Sequence, residues 1–554
     1  MAFPNLQMAL REWTDVVGSA HVTSDAESLR AAERCTFGTE NRIPAIVRPA
    51  SREQVQECLR VANRWQTPVY PVSSGKNWGY GSRVPASDGC VLLDLSRMNR
   101  ILDFSEELAY VTVEPGVTQE QLYTFLKERG SRLWMDATGA SPQCSLIGNA
   151  MERGFGHTPY GDHFAYICGL EVVLPEGDAI ETGFARFADS KAAPLYKWGL
   201  GPALDGLFSQ SNFGIVTRMT VWLMPEPEYF QAYYFRCESE GDLRAVVDAL
   251  RPLRLNGTIR SASHIANDYK VISALRQYPW RETDGRTPLQ GDLLKHFRRE
   301  MKIGPWNGSG ALYGTKAQVR EARRLLRRAL AGKASRLQFL DDRMLRIAAR
   351  FAKPYQMISG WNLERTLAVL KPVYGLMRGV PTDHPLASTY WRKRTSPPAK
   401  MDPDRDGCGL LWCSPVAPND GAHAERLTDL AAEILLRHGF EPAISLTVLT
   451  ERTIACIVSI AYDRDVAGED GRARTCYKEL LEACFREGYH SYRLAVSSMY
   501  AMVGEGTYPD LLRSLKATLD PWNILAPGRY VPDGRFHTVS AQTAAGSARA
   551  VRTA

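Results

Sequence analysis

Three separated stretches of this 554-residue chain concentrate residues able to do chemistry. The first is PVSSGKNWGYGSRVP, Pro71 to Pro85. A strand-like run, VYPV, enters it, and CVLLDLS follows it from Cys90. Its three glycines let the backbone approach a ligand closely, so that successive N–H groups converge on an anion. That is the chemistry of a pyrophosphate cradle. It is neither a GxGxxG nor a Walker motif, and no helix pattern follows directly; an ordinary loop between strands is the alternative. The second stretch is GNAMERGFGHTPYGDHF, Gly148 to Phe164, and the third is EGYHSYRLA, Glu487 to Ala495. Asp162 in the second can accept a proton or stabilise developing charge, or simply cap a turn. Tyr492 and Arg493 in the third bring donors suited to an oxyanion, or end a strand by bonding to backbone.

Other chemistries find no foothold. The histidines are dispersed without metal-ligand spacing, so no metal is expected, and HExxH, GxSxG and a cysteine–histidine signature are absent. His163 reads as structural rather than as the partner of Asp162. The eleven cysteines show no CxxC. Cys90, Cys168, Cys413 and Cys456 sit in apolar runs, as buried reduced thiols of a cytoplasmic protein would. Gly199, Gly201 and Gly206 fail as a dinucleotide motif because of Pro202 and their spacing.

The elements that must position these residues are mixed α and β. PAIVRP is a strand, Ser51 and Gln54 make a capping box, and a helix runs to about Trp65. YVTVEPG, the helix TQEQLYTFLKERG and a hairpin turning at Glu176-Gly177-Asp178 follow, then GIVTRMTVWLMP. The prolines of PEPEY, Pro225 to Tyr229, interrupt the pattern and mark a boundary. Beyond it, GALYG, LQFLD, GLLWCSPVAP, AISLTVLT and TIACIVSIAYD alternate with helices, which suits an antiparallel sheet covered by helices.

Length calls for two domains. A net charge of +7 over this length does not demand nucleic acid, and the arginine-rich QVREARRLLRRAL has an apolar face at Val319, Ala322, Leu326, Ala329 and Leu330. No apolar stretch has the length of a membrane helix, and the first residues lack the pattern of a signal peptide. A protein without a membrane or nucleic-acid partner, cytoplasmic, is the expectation.

Six blocks in order resemble the vanillyl-alcohol oxidase and 4-cresol dehydrogenase family of FAD enzymes, which includes eugenol oxidase-like members. They are IPAIVRPAS, SSGKNWGYG, VEPGVT, GNAMERGFGHTPYGDH, LDGLFSQSNFGIVTRMTVWLMP and DPWNILAPGRY. The resemblance implies an α+β fold. An FAD-binding domain would span 1–227 and return at 491–536, a cap domain 228–490, and a mobile tail 537–554. It assigns FAD to Val72, Ser73, Ser74, Gly75, Lys76, Asn77, Pro115, Gly116, Gly148, Asn149, Gly156, Gly161, Ile215 and Arg529. It makes Tyr80, Tyr492 and Arg493 the binders of a phenolate, and places Asp162 beside flavin N5. The implied reaction moves hydride from the benzylic carbon of a para-substituted phenol to the flavin through a quinone methide. A same-fold enzyme acting on a non-phenolic or biosynthetic intermediate is the alternative, and a flavin-binding protein without turnover a third. The electron acceptor would be O2 or a protein, and the enzyme a homo-oligomer, a homodimer by family habit.

Two departures stand out. The position of the usual histidine tether, five residues before Pro415, holds Leu410, and a second tether position holds Asn77. FAD is therefore expected to be non-covalent. Residues 260–305 fit the family less closely. A histidine pair of the oxidase type is replaced by Ile454-Ala455, which predicts a more apolar pocket on that side.

Overall fold

The computed structural model describes residues 4–289, 291–351, 363–499 and 504–531. The tail expected from residue 537 lies outside them.

The glycine-rich loop hangs from a small sheet whose strands run Val22–Thr23, Ile46–Val47, Val91–Asp94 and Val69–Val72, in that order. The last three are mutually parallel neighbours. The loop leaves the carboxyl end of Val69–Val72, the end at which parallel sheets present ligands. The helix Arg52–Arg64 buries Val55, Leu59 and Ala62 in the core shared with this sheet. Ser51 caps it by accepting from Gln54 N–H. Gln54 reaches back to the N–H of Ala50 rather than of Ser51, so only half of the expected capping box forms.

A five-stranded antiparallel sheet follows, ordered Ile101–Ser105, Tyr110–Val113, Ile215–Trp222, Ile167–Val173 and Ala179–Glu181. The predicted hairpin is present, with Val173 opposite Ala179.

Residues 229–463 build an eight-stranded sheet. Its path runs Ser335–Leu340, Tyr229–Arg236, Trp306–Gly314, Ser263–Asn267, Ala443–Val448, Thr453–Asp463 and Cys408–Cys413, with Val416–Pro418 also on Thr453–Asp463. Every pairing is antiparallel. Helices Asp242–Leu255, Lys316–Leu330, Gly421–Arg437 and Glu469–Arg486 share one apolar core with it. In the arginine-rich helix, Val319, Ala322, Leu326 and Leu330 are buried, so its apolar stripe is a packing face.

Two long-range contacts fix the site. Leu525 bridges Val69, which docks the last segment on the first sheet. Ser491 bridges Pro415, and Val496 N–H donates to Tyr80 C=O at 2.9 Å, which wedges residues 491–496 between the glycine loop and the eight-stranded sheet. The eleven cysteines are all buried. No helix among the described residues is long and apolar enough to cross a membrane, and no cluster there has metal-ligand geometry.

Candidate active site

A cavity of about 610 Å³ is lined by both the glycine loop and the eight-stranded sheet. Eleven of the fourteen predicted cofactor residues line it: Val72 to Asn77, Pro115, Gly148, Asn149, Ile215 and Arg529. This wall is mostly backbone and small side chains. A Cβ on Gly148 would sit 2.4 Å from Ser73 Oγ, so the two loops approach as closely as they do only with glycine there. The buried Ser211 hydroxyl on the same wall has no hydrogen-bond partner among the described residues. Small residues, an unsatisfied hydroxyl and the Arg529 guanidinium suit a long anionic cofactor.

The other three cofactor candidates stand off the cavity. Gly116 is a packing glycine, where a Cβ would meet Ser96 C=O at 2.5 Å. Gly156 and Gly161 close a tight turn, bonded to each other through Gly156 N–H and Gly161 C=O. That turn wraps Asp136: a Cβ on Gly156 would fall on the Asp136 carboxylate.

Tyr80, Tyr492 and Arg493 all line the cavity. The Arg493 guanidinium lies over the Tyr80 ring and donates to Asn77 Oδ1 at 2.5 Å. Tyr80 Oη is 2.7 Å from Ser414 Oγ. Burial raises the Tyr80 pKa, with Arg493 pulling the other way, and burial together with Tyr80 raises Tyr492 well above its ordinary value. Both therefore stay protonated donors at neutral pH. Phe155 tilts against the Tyr492 ring at 5.7 Å.

Asp162 does not join them. It is absent from the cavity wall, and its carboxylate accepts Ala165 N–H, capping the short 3-10 helix His163–Tyr166. Its bridge partner is Phe155, and only Phe155 faces the cavity. His163 does not orient Asp162 either. Its ring nitrogens lie 2.8 Å from Asp136 Oδ1 and 2.5 Å from Asn149 Oδ1. Burial works against the Asp136 charge, but His163 and the Thr158 N–H outweigh it and hold its pKa low.

Among the described residues, the carboxylate that lines the cavity is Glu152, which sequence reasoning passed over. It pairs with Arg493 Nε at 3.2 Å and with Arg529, and Tyr530 Oη donates to it at 3.3 Å. Arg529 also donates to Tyr70 Oη at 2.8 Å. Glu152 thus ties Arg493 to Arg529, the arginine on the small-residue wall. Its signal was the one carboxylate in the motif GNAMERG.

Leu410 is buried and lines the cavity; its N–H donates to Thr36 C=O and its C=O accepts from the Thr36 hydroxyl. Two residues on, Trp412 lies flat on Gly79, whose φ is +78° and whose Cβ, were there one, would stand 1.8 Å from Trp412 Cδ1. The divergent segment 260–305 supplies the strand Ser263–Asn267 and helix Asp268–Leu275, which bring His264 and Lys270 to the cavity. Ile454 and Ala455 do not line the cavity, so they supply none of the expected apolar wall; His264 and Lys270 there stand among Ala266, Val271, Leu275 and Ile457. His264 packs on His157 with ring centroids 4.4 Å apart, and burial lowers His157 to about 4 and His264 well below its usual range.

Residues 43–183 match the FAD binding domain family. Over 527 residues the chain is 45% identical to the 1'-carboxy-chondrochloren decarboxylase of Chondromyces crocatus, covering 95% of this chain and 97% of that protein. Over 536 residues it is 31% identical to the 4-cresol dehydrogenase (hydroxylating) flavoprotein subunit of Pseudomonas putida, covering 94% of each. The chain belongs to the vanillyl-alcohol oxidase and 4-cresol dehydrogenase family. Two solved members share its two-domain fold. p-Cresol methylhydroxylase with substrate bound superimposes with a TM-score of 0.85 and 30% identity, over 96% of this chain and 98% of that one. The 4-ethylphenol oxidase from Gulosibacter chungangensis, in its isoeugenol complex, gives 0.85 and 29% with the same coverage. This vanillyl-alcohol-oxidase-type chain is an FAD-dependent oxidoreductase, and the small-residue wall fits the cofactor.

Proposed function

We propose that this flavoprotein oxidises a para-substituted phenol held as its phenolate. The observation that carries the reading is the meeting of Tyr80, Tyr492 and Arg493 on one cavity wall. A free phenol, with a pKa of about 10, is protonated in neutral water. Two neutral hydroxyl donors and a permanent cation shift it toward the anion. Charge on the oxygen delocalises to the para position and favours loss of hydride from the benzylic carbon. FAD bound along the small-residue wall supplies the two-electron acceptor. The oxidised substrate is a para-quinone methide, open to water, and turnover needs O2 or an acceptor protein to take the electrons on. Glu152, clamped by Arg493 and Arg529, holds the phenolate site in register with the cofactor wall.

A second reading concerns the next step, and the decarboxylase relative favours it. Where the carbon beside the quinone methide carries a carboxylate, that group leaves as CO2. The electron pair of the broken C–C bond restores the aromatic phenolate and forms an alkene. Atoms and charge balance without water.

Anaerobic mixing with 4-alkylphenols, their O-methyl ethers and non-phenols tests the first reading. Bleaching of the flavin by the free phenols alone is expected; equal bleaching by the ethers refutes it. For the second, 3-(4-hydroxyphenyl)propanoate is expected to yield 4-vinylphenol and CO2. A benzylic alcohol retaining the carboxylate would instead place water addition as the fate of the quinone methide.

A further inference from the structure

We propose that Lys270 is a carboxylate-binding point, so that the substrate is a phenol whose para side chain bears a carboxylate; this rests on the phenolate reading above. Lys270 lies in the first turn of helix Asp268–Leu275 and lines the cavity. Its ammonium donates to Ser459 Oγ at 3.1 Å and lies 4.7 Å over the Trp412 ring. No carboxylate among the described residues pairs with it. The acid two residues before it, Asp268, is taken by Arg298 at 2.5 Å.

Three penalties meet at this one side chain. It is half-buried, no carboxylate among the described residues pairs with it, and it sits at the positive end of a helix dipole, which disfavours a cation. Burial lowers its pKa to about 8, which still leaves it charged at pH 7. The neighbouring His157 and His264 are neutral there, so Lys270 carries the charge at this end of the cavity. An anion arriving from the cavity would relieve all three penalties together. An ammonium has three donors; Ser459 takes one and the indole occupies a face, which leaves room for a single small anion.

The placement suits one bifunctional ligand. Trp412 rests on Gly79, the neighbour of Tyr80, and reaches to Lys270. Gly79, next to Tyr80, and the Lys270 ammonium therefore both contact one indole, and the phenolate donors and the ammonium line a single cavity. A phenol would engage Tyr80, Tyr492 and Arg493, and its side-chain carboxylate would engage Lys270.

The test titrates FAD-loaded enzyme with 3-(4-hydroxyphenyl)propanoate and with 3-(4-hydroxyphenyl)propanamide, following the flavin spectrum. A charged hydrogen bond predicts at least tenfold tighter binding of the carboxylate. Lys270→Met should bring the ratio of the two dissociation constants close to one, and Lys270→Arg should retain it. Equal affinities in the unaltered enzyme, or a ratio unchanged in Lys270→Met, overturn the proposal. If Lys270→Met does not hold FAD, the unaltered enzyme and Lys270→Arg decide by the same ratio. A third probe, 3-(4-methoxyphenyl)propanoate, separates this from the phenolate reading. Binding of the ether as tight as the phenol sinks that reading, while the carboxylate-to-amide ratio still reports on Lys270.

Discussion

The guanidinium carbon of Arg493 stands 4.4 Å from the centroid of the Tyr80 ring, so the cation covers the face of a tyrosine that is itself a donor to the site. One residue thus orients its neighbour and supplies the charge that neighbour's hydroxyl must share.

From this arrangement Arg493→Ala should weaken phenol binding most, because it removes the cation and frees the Tyr80 ring together. Tyr80→Phe and Tyr492→Phe should each cost the hydrogen bond to a charged acceptor, about 1.5–3 kcal/mol. Flavin-monitored titration with a 4-alkylphenol ranks the three. A Tyr80→Phe effect exceeding that of Arg493→Ala would reverse the assignment.

Glu152→Gln should destabilise the folded holoenzyme. Breaking a buried ion pair from one side typically costs about 3 kcal/mol or more, and here two arginines are left facing each other. Urea unfolding followed by flavin fluorescence measures it. A change under 1 kcal/mol would show that the clamp carries little.

Asp162→Ala should behave as a lost cap, not a lost catalyst. The expected cost is about 1 kcal/mol of stability, with the rate of anaerobic flavin reduction within a factor of about ten, below the roughly 10²-fold that a positioned acid or base supplies. A hundredfold slower reduction with FAD retained would return Asp162 to the reaction.

FAD should be freed by acid precipitation, because the side chain at the usual tether position is that of Leu410, buried on the cavity wall. Flavin fluorescence migrating with the denatured chain would reveal a covalent bond, for which His384 on the same wall is the first residue to examine.

Asp404 should set a pH slope in stability. Burial raises its pKa to about 7, against the pull of the Ser82 hydroxyl, which donates to it at 2.9 Å. The unfolded value is near 3.8. The folded state therefore binds the extra proton between these values. Its contribution is fully present below about pH 4 and is lost as pH rises through 7. Asp404→Asn should flatten that part of the stability profile; an unaltered slope would assign it to other groups.

The glycine loop was legible because a backbone that must touch a ligand accepts few residue types. Strands of the eight-stranded sheet were legible as apolar runs between turn residues. Asp162 lies off the cavity wall because GHTPYGDH folds back around Asp136, whose carboxylate collects the N–H groups of His157 and Thr158. A linear motif does not say which side of such a turn faces inward. Lys270 was illegible for a different reason. A lysine in the first turn of a short amphipathic helix ordinarily points to water. It turns toward the cavity here because Ser263–Asn267 pairs with Ala443–Val448, far along the chain. Glu152 hid inside a motif whose other members were read for the cofactor.

The bridge between Val69 and Leu525 also bears on how the protein is made. A ribosome delivers the glycine loop well before Leu525 and Arg529, the residues that dock on its sheet and reach its cavity. Until then the nascent cofactor site lacks one of its walls. Residues up to 225, released alone, would carry most of the FAD motif without the bridge and the cation that close it, and the cofactor would have to wait for that later segment.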